Sequence, residues 1–249
     1  MKQEIKLPPK LKKELLPKHI GFILDGNGRW ATKRKLARIV GHQKGLDNLE
    51  NIIKACFDFG LECVSVFAFS TENWKRPQKE IDAIFNLLRD FIKKQNEICE
   101  DKQKQILDEY QVKLHTMGDT TKLPKDLSDA IVDAKKRTQK YSKRIFNIAI
   151  NYGGRDDIIN ACNTLLKKGK KQITEQDFVK CLYSDGLPEL DYIVRTGGDL
   201  RLSNFMLYQG AYSELYFTPK YWPDFSKREL TKALLDYQKR NRKFGGVSE

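Results

Sequence analysis

Two short apolar runs, each broken off by a polar loop, restrict the architecture of this chain more than any other feature. His19-Ile-Gly-Phe-Ile-Leu-Asp25 leads straight into Gly26-Asn27-Gly28, and Cys63-Val-Ser-Val-Phe-Ala-Phe69 leads straight into Ser70 to Pro77. Runs that are apolar at nearly every position suit strands buried on both faces. Between them Leu46, Leu49, Ile52, Ile53, Cys56 and Phe59 recur at helical spacing, and Gly60 supplies the stop. The alternation continues. Val112 to Met117, Ile145 to Ile150 and Tyr192 to Val194 read as strands, separated by helical patterns near Lys125 to Tyr141, Asp156 to Lys168 and Glu175 to Leu182. A last helix runs from Ser226 to about Lys243 and stops at Gly245-Gly246. This order predicts an α/β fold: a single domain with a mostly parallel central sheet covered by helices. The 249 residues suffice for one such domain with a sizeable core.

Charge narrows the partners. Lysine and arginine number 46 against 33 acids, a net charge of +13, so the surface attracts anions such as phosphorylated substrates or lipid head groups. No zinc-finger spacing, basic zipper or aromatic RNA-binding motif accompanies the charge, and nucleic acid is not expected as a partner. No run approaches the roughly 18 apolar residues of a membrane span, and Met1 to Lys18 lacks the apolar centre of a signal peptide. The expected location is the cytoplasm, with peripheral contact at the inner face of an anionic membrane. The five cysteines are odd in number and form no CxxC pair, which argues for reduced thiols rather than a disulfide framework or zinc site.

In open parallel sheets, ligands bind where loops leave the carboxyl ends of strands, and the chemically informative residues lie there. Asp25-Gly26-Asn27-Gly28-Arg29-Trp30 follows the first strand. Its glycines allow backbone N–H groups to approach an anion, Arg29 adds a fork of donors, and Asp25 can hold a divalent cation; a capped turn is the ordinary alternative. Ser70-Thr71-Glu72-Asn73-Trp74-Lys75-Arg76 combines hydroxyl, carboxamide, indole and guanidinium in one loop, a mixture that can orient a polar group beside an apolar one. Arg195-Thr-Gly-Gly-Asp199-Leu-Arg201-Leu202-Ser203-Asn204 brackets two glycines with arginines, a plausible diphosphate cradle. His42, near a helix start, can donate to phosphate or simply cap. With three histidines in all, a multi-histidine metal site is not expected.

Taken together, HIGFILDGNGRWA, GHQKGL, FAFSTENWKRP, NYGGR, RTGGDLRLSNFMLYQGAYSELYF with WPDF, and RKFGG resemble, in order and spacing, the cis-prenyltransferases of the bacterial undecaprenyl diphosphate synthase type. The resemblance runs from about Lys18 to Gly246, leaving residues 1–17 as an N-terminal extension to a catalytic domain of residues 18–249. Asp199 departs from it, standing where the family more often has Glu.

The resemblance implies sequential condensation of isopentenyl diphosphate with an allylic diphosphate, typically farnesyl diphosphate, giving a long cis-polyprenyl diphosphate such as undecaprenyl diphosphate, the cell-wall lipid carrier precursor. It implies magnesium as cofactor and a homodimer. By position, Asp25 would engage magnesium and the allylic diphosphate, with Glu214 completing the metal site. Gly26, Asn27, Gly28, Arg29, Arg38 and His42 would bind that diphosphate. Trp30 and Trp74 would flank the reacting chain, while Ser70, Thr71, Glu72, Asn73 and Arg76 would orient the reacting ends. Arg195, Arg201, Leu202 and Ser203 would bind isopentenyl diphosphate. The helix carrying Ile81, Ile84, Phe85, Leu87, Leu88, Phe91, Ile92 and Ile98 is apolar over more than one stripe, so part of it is expected to line an apolar tunnel for the product chain.

Two other classes compete with this reading. A haloacid-dehalogenase-like phosphohydrolase needs a second acid two positions after Asp25, where Asn27 stands. A non-catalytic prenyltransferase subunit tends to lose the aspartate and the arginine loop, and this chain has both.

Overall fold

The structure, a computed structural model, describes residues 7–96 and 105–240. Cys99, Ile98, the Gly245-Gly246 stop, the RKFGG motif and residues 1–6 of the extension lie outside them. Six parallel strands form one sheet: β1 (His19–Ile23), β2 (Cys63–Ser70), β3 (Val112–Met117), β4 (Arg144–Tyr152), β5 (Tyr192–Arg195) and β6 (Glu214–Phe217). Their order is β3-β4-β2-β1-β5-β6. Every residue of β1 is buried, as its unbroken apolar run requires of a central parallel strand.

Eight helices cover the sheet among the described residues: α1 (Asn27–Lys33), α2 (Arg38–Phe59), α3 (Gln78–Asn96), α4 (Ile106–Glu109), α5 (Lys125–Thr138), α6 (Gly154–Lys167), α7 (Glu175–Val179) and α8 (Lys227–Tyr237). The expected stop at Gly60 is the C-cap of α2, with φ +96° and its N–H donating to the Cys56 and Phe57 carbonyls. Other boundaries differ. The Gly26-Asn27-Gly28 stretch, read as a loop, is already helical from Asn27, because Gly26 at φ +103° turns the chain at once into α1. Helix α7 stops at Val179 rather than Leu182, and α8 at Tyr237 rather than near Lys243. Strand β6 was not anticipated; it is a four-residue edge strand, half-buried throughout, and shows neither an apolar run nor alternation.

One apolar cluster, including Phe22, Ile53, Phe69, Phe85 and Leu234, and a second, including Met117, Tyr152, Ile193 and Phe205, make up the core. A buried polar line also crosses four strands. His19 Nδ1 lies 2.9 Å from the Pro188 carbonyl and Nε2 2.7 Å from Ser65 Oγ; Asn147 Nδ2 donates to Ser65 Oγ at 2.8 Å, and His115 Nδ1 meets Asn147 Oδ1 at 3.0 Å. A slip of register in any of these strands would leave such groups unpaired.

The strand order carries the functional meaning. From β1 the chain moves to β2 and outward to β3 and β4, then returns to the other flank of β1 for β5 and β6. The direction reverses between β1 and β5, and the crevice beyond their carboxyl ends is where ligands of such sheets bind.

Candidate functional site

Ile23 pairs in register with Arg195, so Asp25, two residues beyond β1, meets the side chain that ends β5. Arg195 Nη2 reaches Asp25 Oδ2 at 2.8 Å, and Arg29 Nη2 reaches Oδ1 at 3.0 Å. The Gly26 N–H also donates to Oδ1, at 2.6 Å. Burial pushes the Asp25 carboxyl up, but Arg195 and Arg29 outweigh it and hold the group below the usual carboxylate range. The other end of Arg195 donates to Ser203 Oγ at 2.7 Å and to the Arg201 carbonyl.

A second carboxylate, Asp199, gathers the same arginines from the opposite loop. Its Oδ2 is 3.1 Å from Arg29, 3.1 Å from Arg201 and 3.7 Å from Arg195. Gly197 makes this closeness possible: its φ is +89°, and a Cβ there would stand 2.7 Å from Arg29 Nη2. A third carboxylate, Glu80 in the first turn of α3, receives Arg38 through Nε at 3.3 Å and Nη2 at 3.2 Å, and Arg76 at 3.1 Å. His42 Nε2 is 3.5 Å from it, a contact of charge rather than a good hydrogen bond. Burial pushes His42 below its ordinary value, aided by Arg76 and Arg38 against Glu80.

These groups surround adjoining cavities. One of about 310 Å³ is lined by Asp25, the Gly26–Arg29 segment, Arg38, His42, Arg76 and Arg201. Another of about 230 Å³ joins Asp25, His42, Arg76 and Arg195 to Ser70, Asn73 and Ile84. A third, of about 600 Å³, is lined by Ser70, Glu72, Asn73, Leu202 and Ser203. Ser70 and Asn73 form a capping box, with the Ser70 N–H donating to Asn73 Oδ1 at 3.1 Å.

Asn204, which sequence reasoning did not single out, ties three loops together. Its Nδ2 donates to Glu72 Oε1 at 2.8 Å, its Oδ1 accepts from the Arg155 N–H at 2.9 Å, and its carbonyl accepts from Gly154 N–H at 2.7 Å. It does so at φ +67°, between Ser203 at +49° and Met206 at +42°, a strained run of the kind that costs about 1–3 kcal/mol per residue and persists where surroundings enforce it.

Some predicted residues stand elsewhere. Trp30 donates to Asp224 Oδ1 at 2.7 Å and carries Arg34 over its ring. Trp74 is 39% exposed, donates to Asn151 Oδ1 at 2.8 Å and packs edge-on against Phe69 and Phe85. With Thr71, which donates to Asp156, it lines a separate cavity of about 460 Å³. Glu214 opens β6 in register with Tyr192 and Ile20, five residues back along the sheet from Asp25, about 16 Å at about 3.3 Å per residue. There it pairs with Arg240 at 2.7 Å. The WPDF motif is a brace: the Trp222 N–H donates to the Asp25 carbonyl at 3.0 Å, and its buried indole donates to the Gly45 carbonyl at 2.8 Å.

Beside the charged crevice, Ile84, Leu87 and Leu88 of α3 face Leu46 and Leu49 of α2 across an apolar cavity of about 70 Å³. Phe91 packs instead toward Phe146, ring centres 6.1 Å apart. The α2 wall is locked to the first loop, since a Cβ at Gly41 would lie 2.0 Å from the Asn27 carbonyl oxygen and one at Gly45 2.4 Å from Asn27 Oδ1.

Comparison with known proteins identifies the family and the fold. The family described as undecaprenyl diphosphate synthase matches residues 23–245. The chain is 43% identical over 238 residues to an isoprenyl transferase of Clostridium tetani, covering 93% of this chain and 90% of that one. With an isoprenyl transferase of Streptococcus agalactiae it shares 44% identity over 256 residues, covering 99% and 98%. Among solved structures, lavandulyl diphosphate synthase of Lavandula x intermedia, in complex with dimethylallyl diphosphate, superimposes with a TM-score of 0.85 at 33% identity, covering 94% of this chain and all of that one. A probable undecaprenyl diphosphate synthase of Campylobacter jejuni gives 0.74 at 31% identity, covering 92% and 98%.

Proposed function

Because the chain belongs to the undecaprenyl diphosphate synthase family it is a prenyltransferase, and we propose that it extends an allylic diphosphate, farnesyl diphosphate, with successive isopentenyl diphosphates to a long cis-polyprenyl diphosphate of undecaprenyl length. The observation that carries this reading is the pair of cation clusters at the β1–β5 crevice, opening beside an apolar cavity between α2 and α3. Arg38, Arg76 and His42, with the backbone of Gly26 to Arg29, would take the allylic diphosphate. Arg195, Arg201, Leu202 and Ser203 would take isopentenyl diphosphate, and Ser70, Glu72 and Asn73 lie between the two.

Ionisation breaks the allylic C1–O bond and leaves its electron pair on the diphosphate, so cationic donors aimed at that leaving group lower the barrier. The double bond of isopentenyl diphosphate then attacks C1, and a proton leaves the new cation to a diphosphate oxygen or to a base near Asn73 and Ser70. No covalent nucleophile is required. Asp25 fits a magnesium role, being an oxygen donor on the rim of an anion cavity; magnesium commonly takes one or two carboxylates and completes its shell with substrate phosphates and water. Bound there, the ion would supply charge neutralisation on the departing diphosphate.

The same proposal extends to assembly and location. Exposed Ile159 and Leu166 on α6 and Val179 on α7 support burial against a second copy. The +13 charge supports contact with anionic lipid from the cytoplasmic side, and no helix of the described residues is long and apolar enough to cross a membrane. The test is incubation with farnesyl diphosphate, labelled isopentenyl diphosphate and magnesium, followed by sizing of the lipid product. A ladder ending at undecaprenyl length is expected, and absence of label in lipid overturns the reading.

A further inference from the structure

Arg38 and Arg76 come from separate elements, the start of α2 and the loop before α3, yet both converge on Glu80. Glu80 is only 16% exposed in its side chain. Its carboxylate bonds run to Arg38 and Arg76, with His42 close by, so it does more than complement the first turn of α3. The carboxylate does not line the 310 Å³ cavity, whereas Arg38, Arg76 and His42 do. It therefore stands behind the three basic groups rather than in the space they enclose. Arg38 is met on its other side by the first turn of α1: a Cβ on Gly28 would lie 2.6 Å from Arg38 Nη1. The fork of Arg38 is thus fixed with two nitrogens on Glu80 and the third over Gly28.

We propose that Glu80 is the positioning residue of the allylic diphosphate site, aligning Arg38, Arg76 and His42 so that their remaining donors converge on one anion. This rests on the assignment of those three residues to the allylic diphosphate given above. Without the carboxylate, two guanidinium groups would repel one another and relax toward solvent. With it, one negative charge offsets two positive ones and leaves a net positive charge for the substrate. Long side chains fixed in advance lose less entropy on binding, which is how a group that never touches substrate can set affinity.

Glu80→Gln keeps the shape and one acceptor but removes the charge; Glu80→Asp keeps the charge on a shorter arm. The direct probe is inorganic pyrophosphate, titrated calorimetrically into the full chain, alongside steady-state kinetics with both substrates. Expected for Glu80→Gln is a roughly tenfold rise in the allylic KM, a similar weakening of pyrophosphate, an unchanged isopentenyl KM and little change in kcat, with partial rescue in Glu80→Asp. An allylic KM that stays the same or falls in folded Glu80→Gln overturns the proposal, a fall marking Glu80 as a competitor of the substrate. A KM rise for both substrates equally overturns it too, since that is the signature of a general structural role. If the wild-type chain makes no polyprenyl product yet Glu80→Gln still weakens pyrophosphate, the reaction assigned above fails while the positioning role stands.

Discussion

Arg195 Nη2 and Asp25 Oδ2, 2.8 Å apart, join the ends of two neighbouring parallel strands, and the guanidinium is 3% exposed while the carboxylate is 30% exposed. Removing Asp25 therefore does two things at once. It deletes the proposed metal contact, and it leaves a buried cation whose next partner, Asp199, is 3.7 Å away. Breaking a fully buried pair costs about 3–5 kcal/mol, and the partial exposure of Asp25 reduces that here. Asp25→Ala is expected to lower turnover by orders of magnitude and also to lower Tm, whereas Asp25→Asn should lose turnover with a smaller loss of Tm. Near wild-type turnover in either folded variant refutes the role given to Asp25.

The two arginines of the last loop should behave differently. Arg201 is 62% exposed, so Arg201→Ala should weaken isopentenyl diphosphate by about 1.5–3 kcal/mol, the worth of a charged hydrogen bond, without changing Tm. Arg195→Ala should cost both affinity and stability. A rise in the farnesyl diphosphate KM alone, in either variant, would mean that the two diphosphate sites have been exchanged.

Product length is expected to answer to α3. Tryptophan in place of Ile84, Leu87 or Leu88 should shorten the polyprenyl chain, because these side chains face the cavity, while Phe91→Trp should perturb stability instead. Burial of each five-carbon unit contributes up to about 4 kcal/mol of holding energy at about 0.8 kcal/mol per carbon, so added detergent should speed release of the finished chain. Unchanged chain lengths across the first three variants would remove α3 from the measurement of product.

Acid stability carries its own signature. Burial is the main cause that lowers His19 to about 4, against the Pro188 carbonyl and Asp191, which favour its charged form. The unfolded chain, with histidine near 6.5, then binds the proton more readily than the folded one. Stability is therefore full above about pH 6.5 and falls as pH drops toward 4, by about 3 kcal/mol at 1.36 kcal/mol per unit. Denaturant titrations of wild type and His19→Asn across that window check it; an equal slope in both would assign the loss to other groups.

Strands β1 and β2 were legible because a strand buried on both faces writes a continuous apolar run, and Arg195 and Asp25 because each directly follows such a run. Strand β6, at a half-covered edge, writes no pattern. Glu80 was hidden for a different reason: an acid in the first turn of a helix is ordinary local chemistry, and nothing in Pro77-Gln-Lys-Glu80 shows that Arg38 folds against it. Trp30 and Trp74 stood out as indoles beside functional loops, but their hydrogen-bond partners, Asp224 and Asn151, lie far off in sequence and left no signal there.

The contact of Gly41 and Gly45 with Asn27 has a mechanical consequence. It clamps α2 to the start of α1, two residues from Asp25, so this wall of the apolar cavity moves only with the segment that carries Asp25. The other wall, α3, is tied at both ends, at its start through Glu80 to Arg38 and Arg76 and further along through Lys94 to Glu50 of α2 and Arg89 to Asp126 of α5, so the apolar cavity sits between two braced walls and the side chains of Ile84, Leu87 and Leu88 set its width.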